Sequence, residues 1–215
     1  MIDDPRPPHN LMSRFDLLCD ELRSKLVDPG DARPIDGTVR QAAVALILRR
    51  RLDAAELLMI KRAIIPGDHW SGNLALPGGR WQPGDTDLLF TAMRETYEEV
   101  GVALSAGGSP LGRLDTIQAR NPLIPQIDVT PFVFAAPAAY HVDEPDEQGR
   151  PLVLNQEVAV AFWVSVDYLK SKGPSELFEM IVEGSPRAWP AYPSEHGLIW
   201  GMTERMLTGF LSLIS

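Results

Sequence analysis

The stretch from Leu76 to Val102 constrains the fold of this chain most strongly, because it joins a Pro-Gly-Gly turn to an acidic helical pattern. Glu95, Glu98 and Glu99 follow the turn at the spacing i, i+3 and i+4, which places them on one face of a helix. Crowded carboxylates repel each other unless solvent, a basic residue or a bound cation offsets their charge. Oxygen ligands of this kind suit Mg²⁺ or Mn²⁺, which leave positions open for water and substrate phosphates. The pattern therefore predicts a divalent-metal site and a phosphate-containing substrate.

The ends of this acidic helix can be predicted as well. Residues 83–87 supply turn and N-cap residues, and Gly101 follows the last periodic position as a stop signal. Arg94 stands four residues before Glu98 and is placed to orient that carboxylate. The predicted buried stripe consists of Leu88, Leu89, Ala92, Met93, Thr96 and Val100. The alternative interpretation of such a charged cluster is a solvated helix face without a metal.

Together these residues resemble the Nudix box, Gly-x5-Glu-x7-Arg-Glu-U-x-Glu-Glu-x-Gly-U, in which U is an apolar residue. The matching positions are Gly79, Arg94, Glu95, Glu98, Glu99, Gly101 and Val102. The chain departs from the pattern at Asp85, where the family usually has glutamate, and eight residues instead of seven separate Asp85 from Arg94. The departure bears on the role of Asp85 and leaves the glutamate face intact.

The resemblance implies an enzyme that hydrolyses a nucleoside diphosphate linked to another group, X, with a water molecule attacking the pyrophosphate. It implies Mg²⁺ or Mn²⁺ as the cofactor and a Nudix-type α/β/α sandwich around a mixed β-sheet. Carried over by position, Glu95, Glu98 and Glu99 would be metal ligands, joined by the backbone carbonyl of Gly79. Glu98 and the orienting residue Arg94 would belong to the catalytic machinery.

Outside the box, Glu157 is the leading candidate for a general base or a further metal ligand. It lies in the segment 155–158, just before a predicted strand, and the segment resembles the Asn-Glu-Glu-Val found at this point in many Nudix hydrolases. Gln156 replaces the first of those two acids, which weakens a paired-acid role. A surface glutamate at a strand edge is the alternative interpretation.

Contacts with substrate phosphates are predicted for Arg62 and Lys61, because guanidinium and ammonium groups are suited to phosphate recognition. Arg62 is preferred, since the coenzyme A pyrophosphatase-like subgroup that this segment resembles has an arginine near this position. The glycines of the turn, Gly78 and Gly79, are the other predicted substrate-binding residues. Near them, His69 and Trp70 are candidates for stacking on a base or an acyl group, with a packing role preferred for Trp70.

Two further segments, 57–79 and 196–203, resemble the coenzyme A pyrophosphatase-like subgroup of the family. Leu76 stands where that subgroup has phenylalanine, and Asp68 stands where an arginine is expected. The substrate prediction is coenzyme A or its derivatives, with ADP-ribose, NADH or a nucleoside triphosphate as alternatives on the same fold. A nucleotide-sensing module without catalysis and an acidic structural domain are more distant alternatives. Loops 136–156 and 173–195 are predicted to set specificity.

Composition sets the remaining expectations. The 215 residues, 45% of them hydrophobic, can bury a full core. A net charge of −9 argues against a nucleic-acid partner. The single cysteine, Cys19, excludes an intramolecular disulfide and has the spacing of a helix-core position. Neither a signal peptide nor a membrane-spanning run is evident, so we expect a cytoplasmic protein without a membrane partner.

The pattern along the chain predicts an N-terminal tail and helical extension over residues 1–37 and a Nudix hydrolase domain over 38–215. Apolar residues at helical spacing from Leu11 to Leu26 define the first helix. Strands are predicted at 42–48, 56–62, 128–135 and 158–166, the first two paired as a hairpin, and helices at 167–172 and 201–214. A homodimer is possible through the first helix and an exposed Trp189.

Overall fold

The structure is a computed structural model that describes residues 12–31, 35, 39–67, 70–118, 126–144, 147, 149–182 and 184–215. Its helices are α1 (Arg14–Lys25), α2 (Leu88–Val100), α3 (Val166–Lys172) and α4 (Gly201–Leu211). Its strands are β1 (Arg40–Arg51), β2 (Ala54–Arg62), β3 (Leu74–Ala75), β4 (Gly78–Arg80), β5 (Ser109–Arg113), β6 (Ile117–Gln118), β7 (Ile127–Ala135), β8 (Val158–Ser165), β9 (Glu176–Val182), β10 (Ser185–Ser194) and β11 (Gly197–Trp200).

A mixed sheet of eight strands forms the centre of the molecule. Its main path runs β3-β2-β1-β7-β5, while β4 pairs with β1, β6 with β7 and β8 with β2. Strands β1 and β7 are parallel, whereas the other pairs are antiparallel. The predicted hairpin is confirmed as β1 and β2, which pair from Leu48–Leu57 to Arg51–Ala54 around a turn at residues 52–53.

Strand β1 shows why helices cover both faces of this sheet. Side chains alternate between faces along a strand, and the alternate residues of β1 enter two different hydrophobic clusters. Leu46 and Leu48 join a cluster with α1, α3 and α4, whereas Ala45 and Ile47 join a cluster with α2. The predicted α/β/α sandwich with a mixed sheet is therefore confirmed.

Helix α1 packs on the same core as the sheet. Ser13 caps its first turn, accepting a hydrogen bond from the backbone N–H of Asp16 while the Asp16 carboxylate accepts one from the Ser13 backbone. Phe15, Cys19 and Leu22 are buried, which confirms the predicted core position of Cys19. The boundary predicted between residues 37 and 38 and most of the linker before it lie outside the described residues.

The prediction of a loop over residues 173–195 is wrong. These residues form most of a second sheet with the strand order β11-β10-β9. Ladder pairs run from Ser185–Val182 to Ala191–Glu176, and Tyr192 and Ile199 anchor this sheet in the α1/α4 cluster. Proline residues in β10 and the acidic residues in β9 are untypical of strands, so local preference did not reveal the pairing.

Two further features of the fold concern Trp189 and the helices. Trp189, predicted to be exposed for a dimer contact, is half-buried, and its ring centroid lies 5.8 Å from that of Trp200. Within the described parts of the chain, none of the helices combines the length and the apolar character needed to cross a bilayer.

Candidate active site

Helix α2 presents the acidic residues, and its ends match the prediction. The side chain of Asp87 accepts a hydrogen bond from the Phe90 backbone N–H at 2.7 Å, which satisfies a free donor of the first turn. Gly101 ends the helix in the left-handed region at φ 72°, a conformation that glycine adopts without steric cost. Four members of the predicted stripe are buried, and Leu89 and Met93 are partly buried against the same cluster.

Glu99 is the most buried acid of the helix. Only 3% of the surface of Glu99 is exposed, and its Oε2 accepts a hydrogen bond from the Gly78 backbone N–H at 2.8 Å. Burial raises the pKa of the Glu99 carboxyl to about 8, against the lowering effects of the Gly78 hydrogen bond and the Arg62 charge. Glu99 is therefore a desolvated carboxyl whose anion a nearby cation would stabilise.

Glu95 lies against the turn that precedes the helix. A Cβ added to Gly79 would come within 2.7 Å of both Glu95 carboxylate oxygens, so only a glycine leaves room for this carboxylate. Its Oε1 lies 2.9 Å from the Arg94 Nη1. Burial raises the pKa of Glu95, and the charge of Arg94 opposes this shift.

Arg94 is held by three acids. Its Nε donates to Asp85 Oδ1 at 2.8 Å, its Nη2 donates to Asp85 Oδ2 at 2.9 Å, and its Nη1 donates to Glu98 at 3.0 Å. This fork-like pair with Asp85 is the geometry in which a guanidinium is best oriented. Arg94 therefore holds both Glu95 and the more exposed Glu98, whose side chain is 51% exposed.

Asp85 has a clear structural position despite the extra residue in its spacing. It is buried, and its Oδ2 also accepts hydrogen bonds from the Thr91 hydroxyl at 2.9 Å and the Gln82 backbone N–H at 3.2 Å. The Arg94 guanidinium holds the pKa of the Asp85 carboxyl below its ordinary value. The turn at residues 82–87 accommodates the insertion, so Asp85 reaches Arg94 from outside the helix.

Glu157 reaches the same site from another element. It lies in the turn before β8, where its backbone carbonyl accepts from the Ala63 N–H at 2.8 Å. The side chain is exposed and lines the cleft that also contains Glu95, Glu98 and Glu99. Its charge contributes to raising the pKa values of Glu95 and Glu99.

The donor set fits a hard divalent cation by its chemistry. Among the residues that the structure describes, no three acidic, histidine or cysteine side chains converge closely enough to hold a metal ion as they stand. The carboxylates of Glu95 and Glu98 face Arg94, and that of Glu99 faces Gly78. The three glutamates nevertheless line one cleft and offer the oxygen ligands that such a cation prefers. The contact between Gly79 and Glu95 leaves no room for a side chain at residue 79.

The cleft has a volume of about 590 Å³ and combines charged and apolar walls. Arg62, Gly78 and Gly79, which were predicted to bind substrate, lie in its wall. Lys61 instead donates through its Nζ to the His196 carbonyl at 3.3 Å. Trp70 is half-buried in the wall, while His69 and Asp68 lie outside the described residues.

Several lining residues were not predicted from the sequence. The cationic ones are Arg40 and Arg80, and the apolar ones include Trp200, Met202 and Met206. For Trp200, the available sequence signal was the strand pattern Leu198-Ile199-Trp200. Ile199 is buried, and the side chains on either side of it point to the opposite face of the strand. No described residue of 136–156 or 173–195 lines the cleft, and a contribution of these segments to specificity stays a prediction.

The chain is similar in sequence to known proteins. The family model described as the NUDIX domain matches residues 39–182. A Cronobacter sakazakii protein named "Uncharacterized Nudix hydrolase NudL" is 29% identical over 213 residues, covering 96% of this chain and 94% of that protein. A Salmonella dublin protein of the same name is 29% identical, covering 92% of this chain and 90% of that protein.

Solved structures of other proteins also superpose on this chain. A Nudix hydrolase from M. smegmatis, RenU, superposes with a TM-score of 0.47 at 21% identity, covering 68% of this chain and 81% of that chain. A MutT/nudix family protein from Enterococcus faecalis superposes with a TM-score of 0.49 at 16% identity, covering 86% of this chain and 65% of that chain.

Proposed function

This chain belongs to the Nudix family of hydrolases, and on that premise we propose that it cleaves the pyrophosphate bond of coenzyme A or a coenzyme A derivative with Mg²⁺ or Mn²⁺. The observation that carries the proposal is the placement of four glutamates and Arg62 in one cleft wall. Acids and a guanidinium side by side suit a substrate that is anionic and binds together with a cation. Nudix enzymes in general act on nucleotide-linked substrates and use divalent cations.

When bound, the cation supplies charge neutralisation of the pyrophosphate and a lower pKa for the attacking water. Glu95, Glu98 and Glu99 are the residues that would hold it, with the backbone carbonyl of Gly79. Arg94 fixes the carboxylates of Glu95 and Glu98, since it bonds to both.

The other groups of the cleft have complementary tasks. Arg62 contacts the substrate phosphates, and the glycine turn at Gly78 and Gly79 lets them approach the backbone closely. Glu157 is exposed and lines the cleft, so its carboxylate is placed to take the proton from the water.

The choice of coenzyme A rests on the segments 57–79 and 196–203, which resemble the coenzyme A pyrophosphatase-like subgroup. The alternatives are ADP-ribose, NADH and nucleoside triphosphates, which share the scissile bond. A non-catalytic sensor is a weaker candidate, because all three box glutamates are present.

Product analysis tests the reaction and the substrate together. The purified protein is incubated with Mg²⁺ or Mn²⁺ and, separately, coenzyme A, ADP-ribose, NADH and nucleoside triphosphates. Release of adenosine 3′,5′-bisphosphate and phosphopantetheine from coenzyme A at the highest kcat/KM supports the proposal. Preferential release of AMP from ADP-ribose or NADH would make that compound the substrate in place of coenzyme A. Inactivity on every compound would contradict the enzyme assignment.

The role of Glu157 is separated by measuring two quantities on Glu157→Gln. A general base predicts a large fall in kcat with Mn²⁺ affinity unchanged, whereas a metal ligand predicts weaker Mn²⁺ binding. Glu144→Gln is the matched control, since Glu144 is an exposed acid outside the cleft wall. Full activity of Glu157→Gln would remove Glu157 from the mechanism.

A further inference from the structure

An indole from β11 forms part of the apolar wall of the cleft. Trp200 is the last residue of β11 and lines the cleft together with Trp70, Met202 and Met206. Its side chain is half-buried, so part of the indole surface remains accessible. These residues come from elements other than α2, and they carry no charge. The cleft therefore offers an aromatic surface in addition to its phosphate-binding groups.

The plane of this indole is fixed from behind by the second sheet. The ring of Phe178 in β9 stacks on Trp200 with centroids 3.9 Å apart and an interplanar angle of 8°. Trp189 in β10 is the cross-strand partner of Phe178 and lies tilted at 45° to Trp200. Phe178 and Trp189 are not among the described residues that line the cleft. The hairpin β9–β10 thus supports the cleft wall without entering it.

The position next to Trp200 is not crowded by distant parts of the chain. Gly201 follows it at φ 71° and lines the cleft, and a Cβ added there would meet no heavy atom within 4 Å apart from its chain neighbours and the backbone of its own helix. A flat ligand can therefore approach the indole and the adjacent backbone together. A flexible ligand chain gains little binding free energy from an indole that is already held in place. A planar ring can stack on this indole and loses little conformational freedom in doing so.

We propose that Trp200 is the platform on which the base of the nucleotide substrate stacks, and that Phe178 is a positioning residue that fixes the indole plane. The inference rests on the proposed function, since it requires a nucleotide in this cleft. It assigns the base to the apolar wall and the phosphates to the wall with Arg62 and the glutamates. It also gives the residues 173–195 an indirect part in specificity.

Binding of two matched, non-hydrolysable ligands tests the platform without any turnover. These are α,β-methylene-ADP and methylenediphosphonate, which share the bridged diphosphate and differ by the nucleoside. Calorimetry is performed with Mg²⁺ on the full-length protein. We expect Trp200→Ala to weaken the binding of α,β-methylene-ADP by about tenfold or more, which is the effect of losing one base stack. The affinity for methylenediphosphonate should stay unchanged. Trp200→Phe should retain most of the nucleotide affinity.

Equal affinity of wild type and Trp200→Ala for α,β-methylene-ADP would overturn the platform. Equal weakening of both ligands would do the same, because it would indicate a general distortion of the cleft. Failure of the wild-type protein to bind either ligand would instead contradict the proposed function. The two failures are therefore distinguishable.

The positioning role of Phe178 has its own comparison. Phe178→Ala should weaken α,β-methylene-ADP and leave methylenediphosphonate unchanged, and Phe178→Tyr should restore the affinity. Leu177→Ala is the matched control, since Leu177 is its exposed neighbour on the opposite face of β9. A normal nucleotide affinity in Phe178→Ala would show that the stack does not set the platform and would overturn this part.

Discussion

Gly79 and Glu95 are so close that a Cβ on residue 79 would lie 2.5 Å from the carboxyl carbon of residue 95. Real Cβ atoms do not approach other heavy atoms this closely, so the Glu95 side chain would have to move. The φ angle of Gly79 lies outside the left-handed region that favours glycine. Residue 79 is therefore glycine because of the space that the carboxylate needs.

We expect Gly79→Ala to lower kcat/KM by about 10–100-fold, the usual cost when a metal-ligand carboxylate is displaced by a neighbouring group. The fold should survive, because Glu95 is only half-buried and can turn toward the cleft. Steady-state kinetics and thermal unfolding measure the two effects. Gly209→Ala is the control, since an added Cβ there meets no heavy atom within 4 Å apart from its chain neighbours and the backbone of its own helix. Unchanged activity of Gly79→Ala would contradict the role given to Glu95.

Glu99→Gln should separate activity from stability. The side chain is buried and the amide keeps an oxygen that can accept the Gly78 N–H, so the change replaces a desolvated ionisable group by a neutral one at little structural cost. We expect turnover to fall by about two orders of magnitude or more, while the free energy of unfolding of the metal-free protein is unchanged or higher. Urea titration in EDTA measures stability. Full Mg²⁺-dependent activity would refute the ligand role.

Asp85→Asn should weaken both the fold and the site. The neutral amide cannot form the paired ionic hydrogen bonds that Asp85 makes with Arg94. The loss of one charged partner at a buried site typically costs about 1–3 kcal/mol, so urea unfolding should show a lower free energy. The released Arg94 would also position Glu95 and Glu98 less well, lowering kcat. Wild-type stability and kcat would show that Arg94 needs no partner outside the helix.

A half-buried histidine should make stability depend on pH. The Nδ1 of His141 accepts a hydrogen bond from the Arg50 backbone N–H at 3.2 Å, which requires that nitrogen to be unprotonated. The imidazole also contacts the Phe15 ring edge to face, with centroids 5.3 Å apart. Burial, then the charge of Arg50, lowers the pKa of His141. The other charges that act on it are those of Asp143, Asp16 and Arg49.

The sign of the effect follows from the lowered pKa. Between the pKa of the folded state and the unfolded value of about 6.5, the unfolded chain binds more protons, so stability falls as the pH drops through this range. We expect urea unfolding at pH 7.5 and at pH 5.5 to differ more in wild type than in His141→Gln. An identical difference in the two proteins would show that other groups cause the pH dependence.

Much of helix α2 could be predicted from the sequence. Its cap at Asp87, its stop at Gly101 and the common face of Glu95 and Glu98 depend on residues within a few positions of one another. Local hydrogen bonds and helix periodicity determine such features, and they are the same in any fold that allows the helix to form. The hairpin of β1 and β2 was predictable for the same reason.

The residues of the second sheet could not be predicted in this way. Strand β9 carries acids and apolar residues on both faces, and β10 contains three prolines, so neither has a clear alternating pattern. Their pairing depends on contact with each other and on the anchoring of Tyr192 and Ile199 in the core. Such pairing is a property of the assembled fold, because strand preference depends on the neighbours a strand finds.

The sequence by itself determined the chemistry of this protein: a helix with three acids, an arginine and a glycine turn, which suit a divalent cation and phosphates. Only the tertiary structure decided how these groups meet. It brought Glu157 from the turn before β8 and Arg62 from β2 to the same cleft, gave Arg94 its partner Asp85, and set Trp200 against Phe178. Local spacing fixes which groups share a helix face, whereas contacts between distant segments depend on how the whole chain packs.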